Sequence, residues 1–212
     1  MTEIPKHCLE WLVESRRRYL KKLMRGEPLT YFSAHLPVVA TWSGDGEFPV
    51  NMTAKGIGLL PRSDLLTQFI ELFEETLDRV RDMRWSESWS IRVDTLFRLY
   101  SDVANFDPRL LGGLEIFEGR TLENLRRIPR ASLLYAGIKE EEEKVGYISF
   151  QINAEVEIVG KENSYYRFLL LGRKLFEFDK FHLYQPDYPY GYIFRVKEVR
   201  DKSPWSRAGS RS

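Results

Sequence analysis

The strongest candidate for chemistry in this sequence is a short run in which a glycine, an arginine and a threonine open a helix. Gly119, Arg120 and Thr121 stand between an apolar segment, 114–117, and a helical pattern over 121–128. The first N–H groups of a helix lack partners within the helix, and a neighbouring guanidinium and hydroxyl add donors that suit a phosphate group. The structural alternative is that Arg120 is only exposed and Thr121 only caps the helix, and the residues alone leave both interpretations open.

Other catalytic arrangements are missing from the sequence. It contains no G-x-S-x-G, no H-E-x-x-H, no P-loop and no G-x-G-x-x-G motif that opens a helix. The single cysteine, Cys8, excludes an intrachain disulfide, and its amphipathic helical setting favours a small buried side chain over a nucleophile. A multi-histidine metal site would need all 3 histidines. We therefore expect no metal and no self-sufficient hydrolytic site.

The composition is that of a chain with a substantial core and no overall charge. Hydrophobic residues make up 43% of the 212 residues and aromatic residues 14%, which excludes a mostly disordered chain. The 32 basic residues balance 31 acidic ones, and the net charge of +1 argues against a nucleic-acid binder. No signal-peptide or membrane-spanning pattern is present. We expect a single cytoplasmic domain over 1–212 that has no membrane contact.

Helical spacing of apolar residues recurs in several regions. It predicts an N-terminal helix over 5–25, whose basic residues form either a solvated face or, against the charge balance, a patch for nucleic acid or lipid. It also predicts a helical insertion over 62–111, with helices at 64–83 and 90–104 and a closing break rich in glycine and proline. A further helix is expected at 162–176, and the tail over 201–212 is expected to be mobile.

Strand patterns occupy the remaining segments. The clearest is 147–158, where six apolar residues alternate with polar ones, as in a half-buried antiparallel strand. Turn residues separate most of the runs, and the acidic stretch 140–143 suits a solvated hairpin tip. The other predicted strands are 37–43, 47–60, 114–117, 131–136 and 190–199. Together with the helices, they predict a mixed α+β fold with a small antiparallel β-barrel.

The order of these segments resembles the FMN-binding split β-barrel superfamily, which includes pyridoxamine-phosphate-oxidase-like proteins and flavin reductases. The resemblance covers about 37–60 and 114–160, and the shared order of degenerate motifs carries it more than any single residue. The motifs are, in chain order, 38–41, 44–49, 51–54, 119–121, 124–125, 129–134 and 152–159.

The resemblance implies a cofactor site and an assembly. In that family the FMN phosphate is held at the start of the short helix, the second strand runs along the isoalloxazine ring, and the long strand offers a polar side chain, here Ser149 or Gln151. The implied cofactor-binding residues are Asn51, Met52, Thr53, Ala54, Lys55, Gly119, Arg120, Thr121, Asn124 and Gln151. The family also forms homodimers with the flavin in the cleft between subunits, which the polar face of 147–158 could line.

The expected function follows from that cofactor. Flavin carries the redox chemistry itself, which explains why no catalytic triad is visible. We expect an FMN-dependent oxidoreductase that acts on an unidentified small molecule. The alternative is a non-catalytic binding or interaction protein that has the same barrel fold, with or without flavin. The insertion is expected to cover the exposed face of the flavin, and nearby aromatic residues either line that pocket or cap the barrel: Trp85, Trp89, Tyr184, Tyr188 and Tyr190.

Overall fold

The computed structural model describes residues 2–27, 33–141, 144–176 and 188–204. Within these ranges the chain forms five α-helices and a seven-stranded sheet in which every paired strand is antiparallel. The helices are α1 (Lys6–Met24), α2 (Ser63–Arg79), α3 (Trp85–Leu99), α4 (Arg120–Arg127) and α5 (Ser164–Lys174). The strands are β1 (Val38–Trp42), β2 (Val50–Ala54), β3 (Gly58–Pro61), β4 (Phe106–Glu115), β5 (Arg130–Glu141), β6 (Lys144–Val159) and β7 (Tyr190–Asp201).

The strand order shows that the sheet curls into a barrel. It runs β2-β1-β5-β6-β7-β4-β3, so β2 and β3 form opposite edges although only residues 55–57 separate them in the chain. Six strand spacings would put the edges of a flat sheet about 29 Å apart, whereas the connecting chain spans at most about 15 Å. The edges must therefore approach each other, and within the described residues no ladder joins them. The prediction of a mixed α+β split barrel is confirmed.

Two predicted boundaries near the split are wrong. The run 47–60 is not one strand, because the chain leaves one edge of the sheet at 55–57 and joins the other. The break predicted over 105–113, at the end of the insertion 62–111, is in fact most of β4, so the helical insertion ends before Phe106.

Strand β4 contains two adjacent glycines, a pattern that in the sequence alone is typical of a break in the chain. Gly112 and Gly113 lie inside the strand, where the missing side chains allow close approach of the neighbouring chain. A Cβ on Gly112 would lie 2.7 Å from Leu60 Cδ2, and one on Gly113 would lie 2.5 Å from the carbonyl oxygen of Gly56. These glycines therefore permit packing where their type suggested a break.

The core fills the barrel and the space below the helices. The apolar face of β6 is buried as predicted, with Phe150 and Ile152 fully enclosed. Helix α5 packs on β4 and β7, and α2 packs on α5, where Phe73 stacks on Phe168 with ring centroids 5.3 Å apart. Trp11 of α1 meets Phe150 edge-on at 5.7 Å. Helices α1 and α5 thus pack directly on the barrel, and α2 packs on α5.

Helix α1 confirms the predicted N-terminal helix, but its basic residues are not all solvated. The helix ends at Met24, and Gly26 follows with a φ of +67°, the left-handed conformation that closes many helices. Arg16 is only 8% exposed, and its guanidinium lies 4.7 Å from the ring centroid of Phe176. Arg17 is ion-paired with Glu14 at 2.7 Å. Because one of these arginines is buried and the other is ion-paired, fewer exposed, unpaired cations are left on α1 for the basic patch of the alternative interpretation.

Some expectations fall on residues that lie outside the described ranges. These include Tyr184, the tip of the acidic hairpin at 142–143, and 205–212 of the tail. No helix in the described part of the chain has the length and apolar character needed to cross a membrane.

Candidate cofactor site

The start of α4 lies against β1 and β2 through two amide–hydroxyl hydrogen bonds. The side-chain N–H of Asn51 donates to the Thr121 hydroxyl at 3.1 Å, and that of Asn124 donates to the Thr41 hydroxyl at 3.1 Å. Thr41, Thr121 and Asn124 are buried. The structure therefore brings together three of the predicted site residues, from the second strand and from the short helix.

Thr121 does not cap the helix, contrary to the structural alternative. Helix α4 begins one residue earlier than predicted, at Arg120, and Gly119 is its N-cap without a side-chain hydrogen bond. Leu122 makes the first backbone bond, to the Gly119 carbonyl at 2.9 Å. The N–H groups of Arg120 and Thr121 precede that bond and are available to a ligand.

The surroundings of this helix start are open and cationic. Arg120 is exposed, and within the described residues its guanidinium has no hydrogen-bond or ion-pair partner. A Cβ on Gly119 would meet only the Phe117 carbonyl oxygen, at 3.9 Å. The Phe117 side chain is itself 63% exposed. A free guanidinium, two N–H groups and an exposed phenyl ring suit a ligand that carries both a phosphate and an aromatic ring.

Lys55 occupies a different environment from the one predicted. Its Nζ lies 3.0 and 2.8 Å from the two carboxylate oxygens of Glu115, and the side chains are 14% and 1% exposed. Glu115 also accepts from the Phe117 N–H at 3.0 Å and from the Tyr192 hydroxyl. Burial, followed by the bond to Glu115, raises the pKa of Tyr192. The pair ties the end of β2 to the end of β4 across the open edge of the barrel.

The sequence alone does not assign Glu115 to this region. The available signal is a carboxylate inside an otherwise apolar run, Leu114-Glu115-Ile116. A buried carboxylate needs a partner, so its position predicts a nearby cation, although nothing in the spacing identifies Lys55 as that cation.

Gln151 lies apart from the other predicted residues. Its amide donates to Asn153 at 2.7 Å, on the outer face of the sheet. Gln151 lies on β6, where strand pairing places it opposite Leu134 of β5. Strand β6 is three strands from β2, which corresponds to about 14 Å across the sheet. Met52 and Ala54 point to the same outer face, whereas Asn51 and Thr53 point inward. Within one subunit, Gln151 therefore does not contact the start of α4.

A second constellation, His7, Cys8 and Asp201, resembles a catalytic triad without its geometry. His7 Nε2 lies 3.3 Å from Cys8 Sγ and 3.4 Å from an Asp201 oxygen, so a single ring nitrogen faces both groups, whereas a triad uses one for each. Burial and then the charge of Asp201 raise the pKa of Cys8 to about 12. A raised pKa keeps the thiol protonated, and the prediction of a buried cysteine is confirmed. The described residues contain no group of three or more His, Cys, Asp and Glu side chains that could hold a metal.

A surface cavity of about 440 Å³ opens at the other end of α4. Its arginines are largely engaged, since Arg127 pairs with Asp45 at 3.1 Å and Arg195 pairs with Glu157 at 2.6 Å. Its charges are mixed, and Arg120 is not among its lining residues. The cavity is therefore separate from the predicted phosphate site.

The aromatic residues of the insertion and the last loop make structural contacts. The Trp89 indole N–H donates to the Leu23 carbonyl at 3.3 Å, which joins α3 to the end of α1. Tyr188 is 1% exposed, and its hydroxyl accepts from Arg173 at 3.2 Å. These contacts give Trp89 and Tyr188 structural partners, and both alternatives, a barrel cap and a cover over a flavin, stay predictions.

The strand order, the split between β2 and β3 and the short helix that meets β2 define a split β-barrel fold. No family model matches the chain, and no curated protein matches it in sequence.

Several solved structures are similar to this chain. HupZ of Group A Streptococcus has 13% identity and a TM-score of 0.45, with 80% of this chain and 86% of that chain covered. An FMN-binding protein of Syntrophomonas wolfei has 10% identity and a TM-score of 0.45, with 92% and 88% covered. A pyridoxamine 5'-phosphate oxidase candidate of Listeria innocua has 12% identity and a TM-score of 0.42, with 90% and 98% covered.

Proposed function

We propose that this protein binds FMN and acts as a flavin-dependent oxidoreductase on a small molecule. The observation that supports this most directly is the hydrogen bond from Asn51 to Thr121. It joins the strand that the sequence resemblance assigns to the flavin ring with the helix start that it assigns to the phosphate. The two halves of the implied site, 70 residues apart in the chain, are thus in contact.

The donors at the helix start fit a terminal phosphate. Arg120 supplies an uncommitted cation, and the adjacent N–H groups supply neutral donors at the positive end of the helix dipole. Asn51 holds the Thr121 hydroxyl in place from the side of the barrel. When bound, FMN would supply the redox chemistry, and the protein would bind and orient it.

The test is a binding experiment on the purified protein. An absorbance scan and identification of any released flavin establish whether a cofactor is present. We expect FMN to bind more tightly than riboflavin, because the site recognises the phosphate. Arg120→Ala should weaken FMN binding about tenfold to a hundredfold, which corresponds to about 1.5–3 kcal/mol for a hydrogen bond to a charged group, and should bring FMN close to riboflavin.

The matched control is Arg127→Ala, which removes an arginine from the last turn of the same helix. Because Arg127 is exposed and paired with Asp45, its substitution should change the FMN dissociation constant by no more than about a factor of two. Equal affinities for FMN and riboflavin in the unchanged protein would refute the phosphate site. If the protein binds neither FMN nor riboflavin, the proposed function is refuted and the alternative of a non-catalytic binding protein without flavin is left.

We also propose that two copies associate through the outer face of β2, β1, β5 and β6. Strand pairing puts a run of exposed apolar side chains on that face, beside the polar pair Gln151 and Asn153. The exposed apolar members are Val50, Met52, Leu134, Ile138 and Tyr147. Contiguous exposed apolar patches mark interaction surfaces.

Light scattering at micromolar concentration should give the mass of a dimer. Met52→Glu should shift the protein to monomer, since a buried unpaired charge is costly in an interface. Met24→Glu is the matched control, because Met24 is 52% exposed on α1 at the helical side, whereas Met52 is 64% exposed on the proposed face. A monomeric parent, or equal effects of the two substitutions, would contradict the proposed interface.

A further inference from the structure

A small cavity lies between α1, β3 and the barrel core, away from the proposed cofactor site. Its volume is about 10 Å³, close to the space that a single water needs. Most of its lining is buried and apolar, but four polar side chains reach it: Arg16, His35, Tyr100 and Tyr135. Such a mixture is unusual for a void, because empty cavities in proteins are lined by apolar groups.

The Tyr135 hydroxyl is the anomaly in this cavity. Tyr135 is 0% exposed, and within the described residues its hydroxyl has no hydrogen-bond partner. Its ring stacks on Phe150 with centroids 5.1 Å apart, which fixes the direction of the hydroxyl. A buried hydroxyl without a partner is destabilising, so nearly all of them have one, from the protein or from ordered water.

The neighbours of Tyr135 provide further partners for a small molecule. Tyr100 is 7% exposed and also lines the cavity. A Cβ on Gly58 would lie 3.8 Å from the Tyr100 hydroxyl and 3.6 Å from His35 Nδ1, so both groups converge on the bare backbone there. Burial, then the charges of Arg16 and Arg173, lowers the pKa of His35, which keeps its ring neutral at physiological pH.

We infer that this cavity is a binding site for one ordered water molecule, which accepts a hydrogen bond from Tyr135 and donates one to Tyr100. The water completes the hydrogen bonding of a buried hydroxyl and links Tyr135 of β5 to Tyr100, the residue that follows α3. It also gives a reason for glycine at position 58, where a side chain would occupy part of the same space. The inference does not depend on flavin binding or on the dimer.

The direct test is a crystal structure of the unchanged protein at a resolution that shows waters. We expect one peak within hydrogen-bond distance of the Tyr135 hydroxyl, about 2.6–3.2 Å away. An empty cavity would overturn the inference. Bromide soaking distinguishes a water from an anion beside Arg16, because an anomalous bromide peak at this position would overturn the assignment to water.

A thermal-unfolding comparison tests the same inference in solution. Tyr166→Phe serves as the reference, because that buried hydroxyl donates directly to the Tyr188 carbonyl at 2.6 Å. Tyr135→Phe should lower Tm by a similar amount, about 2–4 °C, if the hydroxyl is satisfied by water. An unchanged or higher Tm for Tyr135→Phe beside a lowered Tm for Tyr166→Phe would show that the hydroxyl has no partner, and would refute the water.

Discussion

Replacing Lys55 by methionine is the most informative perturbation of the open edge of the barrel. The change keeps most of the apolar stem but removes the cation beside Glu115, whose side chain is 1% exposed. Two of the four hydrogen bonds to that carboxylate disappear, and those from Phe117 and Tyr192 remain. Breaking a buried ion pair from one side costs about 3–5 kcal/mol, because the other charge stays buried without compensation.

Urea unfolding at pH 7 measures this loss of stability. Lys197→Met is the matched control, because Lys197 pairs with Glu155 at 2.6 Å but both side chains are about half exposed. The loss of that exposed pair should cost less than about 1 kcal/mol. Adding Glu115→Gln to Lys55→Met should recover most of the stability, because it removes the uncompensated buried charge. A loss below about 1 kcal/mol for Lys55→Met would contradict this prediction.

Two further predictions concern stability. Burial and the charge of Arg16 lower the pKa of His35, so on acidification the unfolded state binds a proton that the folded state does not. The free energy of unfolding should therefore fall by up to about 1.4 kcal/mol per pH unit below pH 6.5. In urea titrations His35→Gln should reduce that slope, and an unchanged slope would contradict the prediction. Gly113→Ala should cost about 1–3 kcal/mol or more, since its Cβ would lie 2.5 Å from the Gly56 carbonyl oxygen. Gly119→Ala, whose Cβ has open space, should stay within about 1 kcal/mol by the same measurement, and equal losses would refute the packing argument.

The sequence predicts local elements of this protein better than it predicts how they join. Helices α1 and α2 and strand β6 have long, regular apolar patterns, and each is found close to its predicted bounds. The crossing at 55–57 and the start of β4 were missed, because both depend on the barrel closing on itself. Gly112 and Gly113 are typical of breaks in isolation, and only the approach of β3 explains their place inside a strand.

The candidate site shows the same division. The proposed phosphate site at the start of α4 can be inferred from residue types alone, since a helix start, a guanidinium and a hydroxyl are adjacent in the chain. Its contact with Asn51 depends on the barrel, although the motif order suggested it. The engagement of Lys55 by Glu115 could not be predicted, because the partners are 60 residues apart and neither pattern identifies the other.

Strand β2 links the two parts of the proposed function. Its polar residues Asn51 and Thr53 face inward, and Asn51 fixes the start of α4, while Met52 faces outward and is 64% exposed. This is the reverse of an ordinary half-buried strand, in which the apolar residues point to the core. A strand with this inversion needs a polar partner inside, which α4 supplies, and an apolar cover outside, for which we have proposed the second subunit. The same five residues would then position the phosphate site through one face and form the subunit contact through the other, so Met52→Glu should weaken FMN binding only to the extent that it separates the subunits.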